Sequence, residues 1–123
     1  MSHDFDRHVI FSLGDMIFEY DEEKNQKNIK KHGLPLSIGA RVFFDEYRVE
    51  LDDQGHSEFE QRYDTIGSSS AGHSYVEKDE VLFVVYTERD TITEGRKTVD
   101  VTRLISVRLA NNFERGIYYA NRR

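Results

Sequence analysis

The chain of 123 residues contains no cysteine. Disulfides, thiolate metal sites and cysteine nucleophiles are excluded together. No apolar run comes near the roughly 18 residues that a membrane-crossing helix requires. The opening "MSHDFDRHVIFSL" has two acids and no compact basic stretch. That makes a poor secretory leader, so the cytoplasm is the expected compartment. Internal repeats and low-complexity tracts are absent. None of the five histidines stands at metal-ligand spacing from carboxylates. A Gly-rich phosphate loop is missing, and the run Ser68–Ser70 lacks a nucleophile elbow and reads as a flexible turn. No metal or cofactor is expected.

An excess of positive charge is lacking too. The chain holds 17 Lys/Arg against 23 Asp/Glu, a net charge of −6, which is not the balance of a general nucleic-acid binder. The deficit is uneven. Residues 1–60 hold 7 Lys/Arg and 14 Asp/Glu, or −7, and residues 61–123 hold 10 and 9, or +1. Any cationic site must therefore be local, and is expected to draw largely on the C-terminal half.

What is present describes a folded domain. The composition is 37% hydrophobic and 12% aromatic, and a chain of this size buries roughly two-thirds of its unfolded surface. Residues 1–16 read as irregular, with one apolar patch at Val9–Leu13 that is either an added strand or a loose arm. "MIFEY" (16–20) alternates as a short strand. A helix over 22–32 follows, with Asp21 as N-cap, Glu22 and Glu23 in its first turn, Lys30, Lys31 and His32 in its last, and Gly33 beyond. Its only aliphatic residue is Ile29, which is expected to dock a stripe shared with Asn25, Asn28 and His32 while the amides bond nearby backbone. A second helix is expected from about Ser37 to Phe44. Strands are expected over 47–52, 61–69, 81–88 and 98–110, with Glu94-Gly95 as a hairpin turn. A last helix opens on the capping box Asn111–Glu114 and is expected to bury Phe113, Ile117 and Ala120. Short turns between strands favour an α+β fold: an antiparallel sheet of four to five strands with helices on one face.

The motifs "FEYDEEKNQKNIKKHG", "ARVFFD", "EQRYDTIG", "VVYTERD" and "RLISVRLANNFERGIYY" occur in that order. Together they resemble the BrnT family, the toxins of type II toxin–antitoxin systems. The resemblance spans residues 18–119 and leaves 1–17 as an extension before a single domain, 18–123. It implies a RelE-like fold and a ribonuclease that arrests translation. It also implies neutralisation by a ribbon-helix-helix antitoxin encoded alongside, the complex repressing its own operator DNA. The chain departs from the family pattern at Leu109, where a basic residue is usual, and in longer stretches at 71–80 and 90–99.

Cleaving RNA without a metal needs a base for the 2′-hydroxyl, an acid for the leaving 5′-oxygen, and cations for the crowded phosphorane. Arg62 and Arg108 match family positions and suit the cationic role, since a guanidinium pairs two phosphate oxygens. The competing reading is a surface arginine paired with Asp64 or Glu60. Arg103 competes with Arg108, but in a regular strand the two point to opposite faces, so without a bulge only one can enter a shared site. Thr102, Leu104, Ser106 and Arg108 then form the more polar face, and Arg103 anchors the other layer. His32 is the acid/base candidate because it titrates near neutrality, with helix capping as the plainer alternative. Glu60 would act as base or orient Arg62. Lys31 would hold phosphate, and Tyr118 would stack on a base or donate a proton, unless it merely packs beside Tyr119. Glu114 reads first as a cap, and Glu88-Arg89 as a charged strand end. Set against the enzyme is a binding module of low or no activity, acting mainly as antitoxin partner and co-repressor; the acidic N-terminal half suits a basic partner.

Overall fold

The computed structural model describes residues 7–52, 61–70, 80–92 and 98–122, with side chains in all of these except 91 and 92. Six strands form one sheet: β1 (His8–Leu13), β2 (Met16–Asp21), β3 (Val49–Asp52), β4 (Arg62–Ser68), β5 (Val81–Ile92) and β6 (Thr98–Leu109). Their spatial order is β1-β2-β6-β5-β4-β3. Two α-helices, α1 (Glu22–His32) and α2 (Asn112–Asn121), and a 3-10 helix at Leu36–Phe44 complete it. The fold is α+β as expected, but the sheet is larger and mixed. β2 and β6 run parallel, while every other neighbouring pair is antiparallel. The patch at Val9–Leu13 is a strand, hydrogen-bonded along β2. The expected turn at Glu94-Gly95 lies outside the described residues, as does most of the serine-rich segment after Ser70.

Alternation divides the sheet into two faces. One carries Phe18, Leu82, Val84, Leu104 and Val107, which pack with Leu36, Ala40 and Val42 of the 3-10 helix into the main core. Gly39 permits that contact, because a Cβ there would stand 2.7 Å from Val107 Cγ2. The helix expected over this segment is therefore a tighter one, pressed close against the sheet. On the other face, Ile66 and Val81 meet Ala110 and Tyr118 in a smaller core beneath α2. Asp45 joins the layers: it accepts from Ser68 N at 2.8 Å and from the Tyr118 hydroxyl at 2.5 Å. The expected apolar stripe of α2 is corrected here. Phe113 is 77% exposed, whereas Glu114 and Tyr118, one turn apart, are the buried pair.

β6 departs from the regular strand. Phe83 pairs with Arg108 and Thr87 with Arg103, positions four apart on β5 but five apart on β6, with the register shift at Val85/Tyr86. The extra residue, Ile105, is a β-bulge. It overturns the expected faces of this strand. Leu104 and Val107 both point into the main core, and Arg103 shares the opposite face with Arg108.

Candidate functional site

The helix α1 sets the edge of the site, and its scarcity of apolar residues has a structural reason. β2 pairs β6 only at Phe18–Thr102 and Glu19–Arg103, then turns off into α1. The rest of the β6 edge is met by Asn28 instead. Its Oδ1 accepts from Val107 N at 3.1 Å, and its Nδ2 donates to Val107 O and Leu34 O, each at 2.8 Å. Asn25 Oδ1 accepts from Leu36 N at 2.8 Å. Two buried amides thus replace a strand partner and a loop partner. Ile29 does not dock as expected; it is 37% exposed. The ends follow the sequence closely: Asp21 accepts from Lys24 N, and Gly33, at φ 75°, returns its N–H to Ile29 O.

The open sheet face holds three cross-strand rows next to that helix. Arg62, Thr87 and Arg103 form one row; Asp64, Val85 and Ser106 the next; Ile66, Phe83 and Arg108 the third. With strands spaced about 4.8 Å apart, Arg62 and Arg103 have Cα atoms roughly 10 Å apart, and Arg108 lies two rows further along. The bulge therefore gathers Arg62, Arg103 and Arg108 on one face. Arg62 falls in the row of Arg103 rather than that of Arg108.

Arg108 is firmly held. Its guanidinium lies 4.1 Å over the Phe83 ring. Nη1 and Nη2 meet the two carboxylate oxygens of Glu114 at 2.8 and 2.9 Å, and Nη1 also reaches Leu109 O at 3.2 Å. Asp64, in the neighbouring row, adds its negative charge to that of Glu114. A guanidinium is a planar fork of the shape that pairs phosphate. Glu114 also closes the α2 capping box with Asn111, so one carboxylate ties the helix start to the arginine. The Arg108 fork holds the Glu114 carboxyl below its usual range, helped by Asn111 N–H against some burial.

His32, at the C-terminal end of α1, lines a depression of about 200 Å³ with Lys24, Lys27, Asn28, Lys31, Ile105 and Ser106. Its pKa is pushed below the ordinary 6.5, first by burial and then by the charges of Lys31 and Arg108. The structure thus brings His32 and Lys31 beside β6 near Arg108. Arg103 lies by Glu19, 4.0 Å away. Tyr118 is placed elsewhere: at 1% exposure, with its hydroxyl on Asp45, it has no face on which a base could stack. Glu60 lies outside the described residues.

Three features were not singled out from sequence. Ser106 shares the face of Arg108, as alternation expects, but the bulge sets it there with Arg103 rather than with Leu104. Lys24 and Lys27 extend Lys31 along α1, a stripe visible in the i, i+3, i+7 spacing. The Glu19 carboxylate is 8% exposed and surrounded by Arg89 at 3.6 Å, His8 at 3.9 Å and Arg103; nothing in its strand pattern marks it. Among the described residues no group of His, Asp and Glu is arranged to hold a metal ion. Among the described residues no helix is long and apolar enough to cross a membrane.

Residues 20–114 match the family model for BrnT, the ribonuclease toxin of type II toxin–antitoxin systems. No curated protein matches the chain.

Proposed function

The chain belongs to the BrnT family of type II toxin–antitoxin ribonuclease toxins, and on that premise we propose that it cleaves RNA at the sheet face bearing Arg108, without a metal, and so inhibits translation. The observation that carries this is an Arg108 fixed by Glu114 and Phe83, with His32, its pKa lowered in part by the Arg108 charge, nearby. His32 takes the 2′-hydroxyl proton. The resulting oxygen attacks the adjacent phosphorus as the bond to the 5′-oxygen breaks, leaving a 2′,3′-cyclic phosphate and a 5′-oxygen that takes a proton from water to become a hydroxyl. Arg108 pairs the equatorial oxygens as charge gathers on them. Lys31, Arg62 and Arg103 add positive potential, and Glu60 is the remaining candidate for a proton-transfer group. Leu109, where the family usually has a cation, leaves more of that work to the others. In this reading the fold is RelE-like, the protein acts in the cytoplasm, and its partner is a ribbon-helix-helix antitoxin through which it reaches operator DNA.

The test is cleavage of mRNA by pure protein in excess chelator. Wild type is expected to cut. Arg108→Lys, which keeps charge but loses the fork, is expected to fall by roughly 10²–10³-fold in kcat, and His32→Ala by about 10²–10⁴-fold. Full activity of either variant would remove that residue from the site. A second reading rests on the fork–fork contact itself: with Glu114 permanently on Arg108, the protein would be a binding module for its antitoxin. Tight antitoxin binding with no RNA cleavage by wild type would favour it.

A further inference from the structure

Two depressions flank α1 and share Lys24 and Lys27. One, of about 200 Å³, ends at Lys31, His32 and Ser106. The other, of about 310 Å³, ends at His8 and Arg103. Together they make one groove between the helix and the bulged part of β6. Lys24, Lys27 and Lys31 lie along a single helical stripe, about 10 Å long at 1.5 Å of rise per residue. Asn28 belongs to the same stripe, and its two bonds to Val107 fix the register of those lysines against the sheet.

The acids of this groove are engaged. Asp21 accepts from Lys24 N at 3.3 Å as the helix cap. Glu23 is shared between Arg7 and Lys27, each at 3.6 Å. Glu19 holds Arg103 from behind. In a chain of net charge −6, α1 alone carries four of the seven Lys/Arg in residues 1–60: Lys24, Lys27, Lys30 and Lys31. Three of them face this groove. Lysines are compact, rotatable charges that hold backbone phosphates without reading bases.

We propose that this groove is the track of a single-stranded RNA backbone, running from the reactive phosphate beside Arg108 and His32 toward Arg103, with Lys24, Lys27 and Lys31 as its phosphate contacts. The assignment rests on the ribonuclease reading and specifies how its substrate lies. The track is sequence-tolerant; base choice, where there is any, is made on the sheet face. A dinucleotide reaches no further than Lys31 and gains nothing from Lys24 and Lys27.

The test compares Lys24→Gln/Lys27→Gln with Lys30→Gln/Arg41→Gln. The second pair removes equal charge from the outer side of α1 and from the 3-10 helix. Affinity for a non-cleavable 2′-O-methyl oligonucleotide is measured against salt, and KM and kcat are measured for polyuridylate and a dinucleotide. The groove pair is expected to lose about 1.4 from the log–log salt slope, at about 0.7 per single-strand phosphate contact. KM for the polymer should rise at least tenfold with kcat held, and dinucleotide cleavage should not change. The control pair should match wild type. Equal losses in both pairs, an unchanged slope in the groove pair, or no oligonucleotide binding by wild type would each overturn the track. Loss of antitoxin affinity with RNA affinity intact would reassign the groove to an acidic protein segment. Binding along the track without cleavage would leave the track standing and overturn the ribonuclease reading.

Discussion

Single side chains here hold two partners at once, and their titrations expose it. Glu114 caps α2 and grips Arg108, so its folded carboxyl titrates below its ordinary 4.5. A depressed carboxyl contributes stability that is fully present above the unfolded pKa and is lost as pH falls through the folded one. The stability gap between wild type and Glu114→Gln should therefore be widest above pH 4.5 and narrow in more acid solution; denaturant melts at several pH values measure it. A gap constant with pH would mean that the fork contributes nothing to stability. For His32 the sign is the same but the consequence is catalytic. Its folded pKa lies below 6.5, so the imidazole is neutral at pH 7 and can accept a proton. A pH–rate profile should fall on the acid side with a midpoint below 6.5, and His32→Ala should flatten that limb. Arg108 was singled out by family position and His32 by residue type. The Arg108–Glu114 contact was not, because Glu114 already has a sufficient local explanation as a cap.

At the level of elements, the helix with almost no core is held by edge replacement. Asn28→Ala would leave the N–H and C=O of Val107 unpaired in a buried place, at about 1–3 kcal/mol each. A loss of about 2–5 kcal/mol is expected, read as a lowered denaturant midpoint with unchanged slope. A loss below about 1 kcal/mol would mean that water substitutes for the amide. Gly39→Ala should cost about 1–3 kcal/mol by driving a methyl into Val107. The ends of α1 were legible because capping is local chemistry: Asp21, the acids, the bases and Gly33 are neighbours in sequence. The 3-10 geometry was not, since it answers to the approach of Gly39 to a strand some seventy positions away. The stripe of α2 was misread for a related reason. A buried Glu114 looks wrong in a core until Arg108 is placed opposite it.

For the whole molecule, the two sheet faces divide the work: one is packed and apolar, the other is covered by α2 at one end and carries the arginine rows beyond it. The parallel joint between β2 and β6 welds the acidic N-terminal segment to the C-terminal strands, and it brings the α1 lysines of one half beside the β6 arginines of the other. That joint was invisible in a string of short turns, which suggest only antiparallel neighbours. β1 sits at the far edge, with Phe11 stacked on Phe18 at 5.5 Å. Removing residues 1–13 should lower the melting temperature by several degrees and bare the β2 edge to self-association. The turnover number for RNA should survive, because Arg62, Arg108 and His32 lie away from that edge. Collapse of kcat in a folded truncated protein would place part of the site on β1.

The bulge at Ile105 acts as a phase slip in a two-beat rhythm. Upstream of it, odd positions of β6 face the arginines; downstream, even positions do. A substitution cannot undo that, but a deletion can. Without Ile105 the strand returns to strict alternation, and Leu104 with Val107 and Arg103 with Arg108 keep the faces they hold now. Core and arginine positions thus keep one rhythm along the strand, and the bulge is the device that absorbs its extra beat.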